Sequence, residues 1–265
     1  MNKTEILKAL TAAFRKEFSD GLGFREPTYA KVAMTIPSTT ATNTYAWLSA
    51  FPRMKEWVGE RTLNKLGKQA MSIENKLFES TVSVPRTDIE DDQVGIYRPI
   101  MKQAGVSAAE LPDDLVWPLL AKGKATLCYD GQNFFDTDHV WYKNVDGTGT
   151  TKNMSNLTTG TDADAPTWYV IDDTNVLKPL VYQERTKPEF ETKFDPSKSD
   201  KVFLEDVYLY GIRARGNAGF GLWQLAHMVE KTNLTKAALA KVVKEMKELK
   251  TDGGYDLKIR PSLLV

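Results

Sequence analysis

The chain has 265 residues, 42% of them hydrophobic and 26% charged, which is the composition of a soluble globular protein with one large domain or two ordinary ones. Its 35 basic residues equal its 35 acidic residues, so net charge gives no attraction to nucleic acid or to an anionic membrane. The single cysteine, Cys128, excludes an internal disulfide framework and fits a reducing cytoplasm. No apolar run approaches the ~20 residues of a membrane span.

The first predicted element is an amphipathic helix, which Gly21 and Gly23 end. Residues 24–43 are rich in Thr, Pro and Ser and lack hydrophobic periodicity, although apolar side chains such as Tyr29 and Ile36 recur. Such a segment is typical either of an arm that lies across a neighbouring molecule or of a plain linker. The residues alone leave both interpretations open.

Residues 44–85 begin with closely spaced aromatic side chains and continue with paired charges of both signs. A run with strand-like alternation, 78–84, ends at Pro85, as expected for an edge strand. This pattern predicts a long exposed hairpin or loop. A solvated surface hairpin is the structure that most often has this mixture of charges.

Residues 87–124 predict a long helix or a kinked pair of helices, on the order of 50 Å in total. Thr87 with Glu90, and Ser107 with Glu110, have the spacing of capping boxes, and Gly105 is expected to interrupt the helix between them. A rod of this length exceeds what a compact domain needs. It therefore suggests a backbone from which the other elements extend.

The remainder of the chain mixes strands and helices without strict alternation, which favours an α+β fold over a doubly wound parallel sheet. It has no internal repeats. The predicted elements are a hairpin with its turn at Asp130 and Gly131, a loop insertion at 143–165, strands at 168–171, 177–182 and 202–212, a short helix at 222–231, and an amphipathic helix at 235–250.

Few residue patterns suggest chemistry. Asp136, Asp138 and His139 could hold a divalent cation, but their spacing matches no zinc signature, and acidic residues that cap turns are far commoner. Cys128 with His139 could form a nucleophile and base, yet apolar neighbours favour a buried structural cysteine. From the residues alone, no active site emerges.

Two further patterns have ordinary explanations. The glycines at 216, 219 and 221 follow a predicted strand, but their order is not a dinucleotide fingerprint, so tight backbone packing is the better interpretation. The lysine-rich face of 235–250 is diluted by Glu245 and Glu248, which is typical of a solvated helix. A long helix, an arm and a charged hairpin suit a protein that contacts copies of itself.

Three stretches, LFESTVSVPRTDIEDDQVGIY, LVWPLLAKGKATLCYDGQNFFDTDHV and LYGIRARGNAGFGLWQLA, resemble the major head subunit family of Mu-like phages and prophages. They fall in the family's order between residues 78 and 226. The resemblance implies the α+β tailed-phage major capsid fold, of the Hong Kong 97 type. It implies no enzymatic activity, no cofactor and no metal.

In that fold an N-terminal arm would cover residues 1–43, an extended loop 44–86 and a spine helix 87–124. Interleaved peripheral and axial domains would occupy 125–265. The family is expected to continue through more strand beyond the last residues, so this member is either short or lacks a C-terminal part. Residues 143–165 would be a variable surface insertion.

The implied function is that of a major capsid protein, whose hexamers and pentamers form an icosahedral shell around double-stranded DNA without sequence-specific binding. Portal and scaffold or decoration proteins would be partners, with no membrane involved. The protein would belong to the virion and assemble in the cytoplasm of a bacterial host. The alternatives are an encapsulin-like compartment and a metal-dependent or cysteine hydrolase.

Contacts between copies are expected to join the loop to the acidic start of the spine helix. The residues predicted to make them are Arg53, Lys55, Trp57, Arg61, Lys65, Lys68, Glu90, Asp91 and Asp92. Pro99 and Gly105 predict a place where the spine can bend to fit both pentamers and hexamers.

Overall fold

The structure is a computed structural model, and it describes residues 3–45, 71–91, 94–144, 147–195, 197 and 199–265. The helices in this part of the chain are α1 (Lys3–Leu22), α2 (Arg86–Glu90), α3 (Tyr97–Ala121), α4 (Asp200–Leu204) and α5 (Lys236–Lys247). The strands are β1 (Ala33–Pro37), β2 (Thr42–Tyr45), β3 (Met71–Glu74), β4 (Lys76–Pro85), β5 (His139–Tyr142), β6 (Thr151–Met154), β7 (Leu157–Thr159), β8 (Trp168–Ile171), β9 (Leu180–Lys193), β10 (Val207–Phe220), β11 (Ala226–Glu230) and β12 (Leu263–Leu264).

One four-stranded sheet contains the two longest strands of the described residues, β9 and β10, and has the order β1-β9-β10-β4. The long strands β9 and β10 are antiparallel, and β4 pairs with β10 as the predicted edge strand. Strand β1 runs parallel to β9, with Ala33 opposite Leu180. Residues 33–37 are therefore part of this chain's own sheet and do not form a plain linker.

The predicted long helix consists of two helices. Helix α2 ends at Glu90, and the 25-residue α3 begins at Tyr97. The expected capping box at Thr87 is wrong, because the residue that precedes α2 is Pro85, two positions earlier, and the helix has no side-chain cap. The first turn of α3 contains Pro99, where a proline removes no required hydrogen bond.

The predicted interruption at Gly105 is also wrong, and with it the second capping box. Helix α3 continues through Gly105. The position requires a glycine because α1 crosses α3 there at very short distance. A Cβ atom on Gly105 would lie 2.2 Å from the carbonyl oxygen of Phe18, and one on Gly21 would lie 2.1 Å from that of Lys102. These glycines allow two helix backbones to touch. Whether α3 bends differently in different subunit environments stays a prediction.

The second four-stranded sheet has the order β12-β8-β11-β7. It corrects two expectations. Residues 151–159, predicted as part of a loop insertion, form β6 and β7, and β7 pairs in parallel with β11. Residues 226–230, predicted as helix, form β11 because their buried side chains continue this sheet. The amphipathic helix predicted at 235–250 is confirmed as α5, and the Thr235 hydroxyl accepts a hydrogen bond from the Ala238 N–H.

Buried apolar side chains form two clusters. The larger core joins β8, β11, the start of β9 and the end of α3 to α5, and includes Phe134, Phe220 and Trp223. The smaller cluster lies between α1, α3 and the β4–β10 sheet. Its members are Leu10, Phe14, Val84, Met101, Tyr208 and Tyr210. Among the described residues no helix is both long and apolar enough to cross a membrane.

Candidate functional site

The candidate nucleophile and base lie in one buried cluster, but its geometry disfavours catalysis. The Cys128 thiol donates to Asp130 Oδ1 at 2.9 Å, and His139 Nδ1 donates to Asp130 Oδ2 at 2.7 Å. Burial, and then the charge of Asp130, raises the pKa of the Cys128 thiol. A protonated, buried thiol that donates to a carboxylate is a poor nucleophile.

The side chain of Asp130 organises this cluster, a role that the sequence analysis missed. Burial opposes its ionisation, but hydrogen bonds from His139 and Cys128 outweigh burial and lower the pKa of the carboxyl. The His139 ring is fully buried and stacks on Trp223 with ring centroids 3.8 Å apart. These contacts hold the start of β5 against the larger core.

The candidate cation ligands do not converge. The His139 ring is bound to Asp130, whereas Asp136 and Asp138 interact with each other, which raises the pKa of Asp138. Within the described residues, no group of three or more His, Cys, Asp or Glu side chains could hold a metal ion.

The glycine cluster serves close packing, as predicted. Gly216 and Gly219 lie inside β10 and not in a phosphate-binding loop. A Cβ atom on Gly219 would lie 2.2 Å from Ile73 Cδ1, and one on Gly221 would lie 2.5 Å from the Lys178 carbonyl oxygen. The lysine face of α5 is exposed and carries ion pairs along the helix, such as Lys244 with Glu248 at 3.8 Å.

A buried polar network fixes the two ends of the segment 46–70. The fully buried Gln183 accepts a hydrogen bond from the Tyr45 hydroxyl at 2.7 Å. Its amide nitrogen donates to the Ile73 carbonyl at 3.1 Å and to Asn75 Oδ1 at 2.8 Å. Strands β2 and β3 pair above it, with Tyr45 opposite Met71. The base of the segment is therefore tied to β9.

The residues predicted to contact other copies fall into two groups. Those in the loop, Arg53, Lys55, Trp57, Arg61, Lys65 and Lys68, lie outside the described residues, as does Asp92. Glu90 and Asp91 are described and are exposed at the end of α2. Helix α2 begins at a fixed corner, where the Arg86 N–H donates to the Asp206 carbonyl at 3.0 Å.

Near the start of α2 lies an apolar pair, Phe203 and Leu204, that the residue patterns alone did not reveal. They are 70% and 78% exposed in α4, which joins β9 to β10. The expectation of one strand over 202–212 concealed α4. A possible signal was the run of charged residues around the pair, which is unusual for a buried strand.

Comparison with known proteins gives a consistent result. A family model described as the Mu-like prophage major head subunit gpT matches residues 7–265. The Mu-like prophage FluMu major head subunit of Haemophilus influenzae is 44% identical, over 98% of this chain and 84% of that protein. The major capsid protein of Escherichia phage Mu is also 44% identical, with the same coverage.

Solved structures agree. A chain of the procapsid of bacteriophage JBD30 superposes with a TM-score of 0.88 at 49% identity, covering all of this chain and 87% of that one. A chain of the JBD30 capsid superposes with a TM-score of 0.70 at 38% identity, covering 91% and 78%. A further structure is the JBD30 capsid decorated with minor capsid protein trimers, with a TM-score of 0.69.

Proposed function

The chain belongs to the family of Mu-like prophage major head subunits and is a major capsid protein with the tailed-phage, Hong Kong 97-type fold; from this premise we propose how it works. Copies of the chain assemble into hexamers and pentamers, which close into an icosahedral shell around double-stranded DNA. The protein performs no catalysis and needs no cofactor. The similarity over 98% of the chain carries the proposal.

The parts of the chain have separate roles in this proposal. Residues 1–43 act as the arm, 44–86 as the extended loop, 87–124 as the spine and 125–265 as the peripheral and axial domains. The pairing of β2 with β3 supports the loop, because it closes the segment 46–70 at its base. The close packing of α1 on α3 supports a stiff spine, because it joins two helices along one face.

Assembly draws its stability from many contacts between subunits. Each loop crosses a neighbouring copy and buries surface that a lone subunit leaves in water. Basic loop residues, among them Arg61, Lys65 and Lys68, meet the acidic residues Glu90 and Asp91 of the neighbour. Such charge pairs set the register of the contact more than they add affinity.

The shell encloses DNA without binding it tightly. The equal numbers of basic and acidic residues support this, because a strongly basic lining would bind the phosphate backbone tightly before packaging. A portal protein and scaffold or decoration proteins complete the particle. The decorated JBD30 capsid supports the last of these. Assembly takes place in the cytoplasm of the bacterial host, and no membrane takes part.

Size measurement tests the proposal. Purified protein is followed by sedimentation velocity over a range of concentrations and salt conditions. Assembly predicts a shift from subunits or capsomers to very large, uniform particles as concentration rises. A monomer or small oligomer under every condition would contradict it.

A further inference from the structure

The arm and the base of the loop share one hydrogen-bond network. Asn75 follows β3 at the base of the loop, and its side-chain nitrogen donates to the Ser38 hydroxyl and to the Thr40 carbonyl, both at 2.8 Å. Its backbone N–H donates to the Ala41 carbonyl at 2.9 Å. One residue therefore binds the base of the loop to the arm through three hydrogen bonds.

The arm side of this network is also bound to the sheet. The hydroxyls of Ser38 and Thr40 donate to the same oxygen, Asn43 Oδ1, at 3.0 and 2.5 Å. Ser38 is buried, and its N–H donates to the Glu184 carbonyl in β9 at 2.8 Å. The turn between β1 and β2 is thus held to β9 as well as to the base of the loop.

Gln183 in β9 joins these contacts to both ends of the loop. Its carbonyl oxygen accepts from Tyr45 in β2, and its amide nitrogen donates to the backbone of β3 and to Asn75. Opposite it in β10, the Asn217 side chain donates to the Glu74 carbonyl at 2.7 Å. Such a network is geometrically specific, because moving one member would leave other buried polar groups without partners.

Apolar packing alone would not fix the direction of the loop. Ile73 in β3 is buried against Gly219, where a Cβ atom would lie 2.2 Å from Ile73 Cδ1, so the base of the loop rests directly on β10. This contact resists separation of the base from the sheet, but apolar contacts have no preferred direction. The hydrogen bonds supply the direction that the apolar contact lacks.

Resting on the proposed function, we infer that Asn75 and Gln183 are positioning residues for shell assembly. With Ser38, Asn43 and Tyr45 they form a clamp, which joins the arm and the base of the loop into one body on β9. The direction in which the loop leaves the subunit is therefore set inside the subunit, and the arm and the loop turn only together. Because closure at one size requires a narrow range of angles between subunits, a loosened clamp should broaden the range of shell diameters.

The first test measures the coupling within the dissociated subunit. Asn75→Ala changes only the base of the loop, yet the Ser38 amide in the arm should exchange with deuterium at least ~5-fold faster than in the unaltered chain. The control is Asn233→Ala, which removes an exposed side-chain amide that binds Asp162 elsewhere on the molecule, and it should leave Ser38 unchanged. Unchanged exchange at Ser38 in Asn75→Ala would overturn the inference.

The second test compares shells by electron microscopy. Gln183→Leu fills most of the same space but breaks the clamp, so its shells should vary in diameter or stay open. The matched control is Gln224→Leu, since Gln224 is also buried and its amide nitrogen donates to the Tyr129 hydroxyl at 2.8 Å, outside the clamp. Both variants lose a buried hydrogen bond and should unfold at a lower temperature, but the control should form shells of the unaltered diameter.

Two results of this comparison would overturn the inference. Uniform shells of unaltered diameter from Gln183→Leu would show that the clamp does not position the loop. Broad diameters from both variants would assign the effect to lost stability. If Gln183→Leu does not fold, Asn75→Ala takes its place, because Asn75 is only half-buried and its replacement spares the bond between Gln183 and Tyr45.

The two tests separate this inference from the proposed function. If the unaltered chain never assembles, the proposed function fails, while the exchange experiment still decides whether the arm and the loop are coupled. If the unaltered chain and the clamp variants form equally uniform shells, this inference alone is refuted.

Discussion

The larger core and the smaller cluster are stabilised in different ways. In the larger core, buried polar side chains bind specific backbone atoms, as Asn156 and Asp172 do. In the smaller cluster, aromatic rings meet edge to face, as Phe14 and Tyr210 do at 4.9 Å, and α1 touches α3 near Gly105. The first region should therefore be sensitive to loss of a hydrogen bond, and the second to any added volume.

Asn156 offers the largest expected effect. It is fully buried, accepts from the Asp136 N–H at 2.9 Å, and donates to the carbonyls of Phe134, Trp223 and Ala226 at 2.8–3.2 Å. Asn156→Ala leaves these groups buried without that partner and should lower the free energy of unfolding by about 3–5 kcal/mol. Urea denaturation of the dissociated subunit measures it.

The control for this change is Asn144→Ala. Asn144 is exposed, and its amide binds the Thr148 hydroxyl at 3.1 Å. Its loss should cost less than about 1 kcal/mol. Equal losses at the two positions would show that the hydrogen bonds of Asn156 do not stabilise the larger core in particular.

The smaller cluster is tested by Gly105→Ala. The added methyl group would lie 2.2 Å from the Phe18 carbonyl oxygen, so α1 must move away from α3, at an expected cost of about 2–3 kcal/mol. Gly95→Ala is the matched control, because a Cβ atom there has no atom within 4 Å of those described. Thermal unfolding of both variants measures the two losses of stability. A Gly105→Ala variant as stable as the control would contradict the close crossing.

The pH dependence of stability also distinguishes the larger core from the smaller cluster, because His227 lies in β11, a strand of the larger core. Burial, and to a smaller extent Lys241, lowers the pKa of this histidine to about 4, below its usual value near 6.5. The unfolded chain therefore binds more protons between these values. The contribution of His227 to stability is complete above about pH 6.5 and is lost as the pH falls towards 4, with a slope of up to about 1.4 kcal/mol per pH unit.

His227→Gln isolates this contribution. Glutamine does not titrate, and its side chain can still bind the Thr158 hydroxyl, which lies 2.9 Å from His227 Nε2. The free energy of unfolding of the variant should lose less on going from pH 6.5 to 4.5 than that of the unaltered chain. Parallel pH profiles for the two proteins would be the contrary result.

The smallest expected effect is at the junction between α3 and the second sheet. There Lys124 Nζ lies 2.5 Å from Glu230 Oε1, and the lysine side chain is half exposed. Lys124→Ala should cost no more than about 1 kcal/mol, and the difference should shrink at 1 M salt. A loss that persists in high salt would indicate that packing of the lysine stem contributes instead.

The elements that sequence reasoning found correctly have local causes. Helix α5 has one apolar face and a threonine cap, and β4 alternates and ends at a proline. The errors arise where residues that are distant in the sequence determine the local secondary structure. Gly105 predicts a helix end unless one knows that α1 crosses there, and residues 151–159 resemble a polar loop until β11 provides a partner strand.

The candidate site shows the same difference between local patterns and contacts made by residues from elsewhere in the chain. The family resemblance gave the fold and the function, which no pattern of catalytic residues could have supplied. Asp130 was missed because its two partners, Cys128 and His139, are brought to it only by the turn. The pair Phe203 and Leu204 was missed because alternation across 202–212 predicts a strand, whereas Asp206 adopts a positive φ of 49° and separates α4 from β10.

Electron microscopy of the purified, concentrated protein tests the central claim most directly, namely that copies of this chain build a closed shell. We expect uniform, thin-walled icosahedral particles, with the JBD30 capsid fold in every subunit. Dispersed small particles at all concentrations, or irregular aggregates without closed shells, would contradict it.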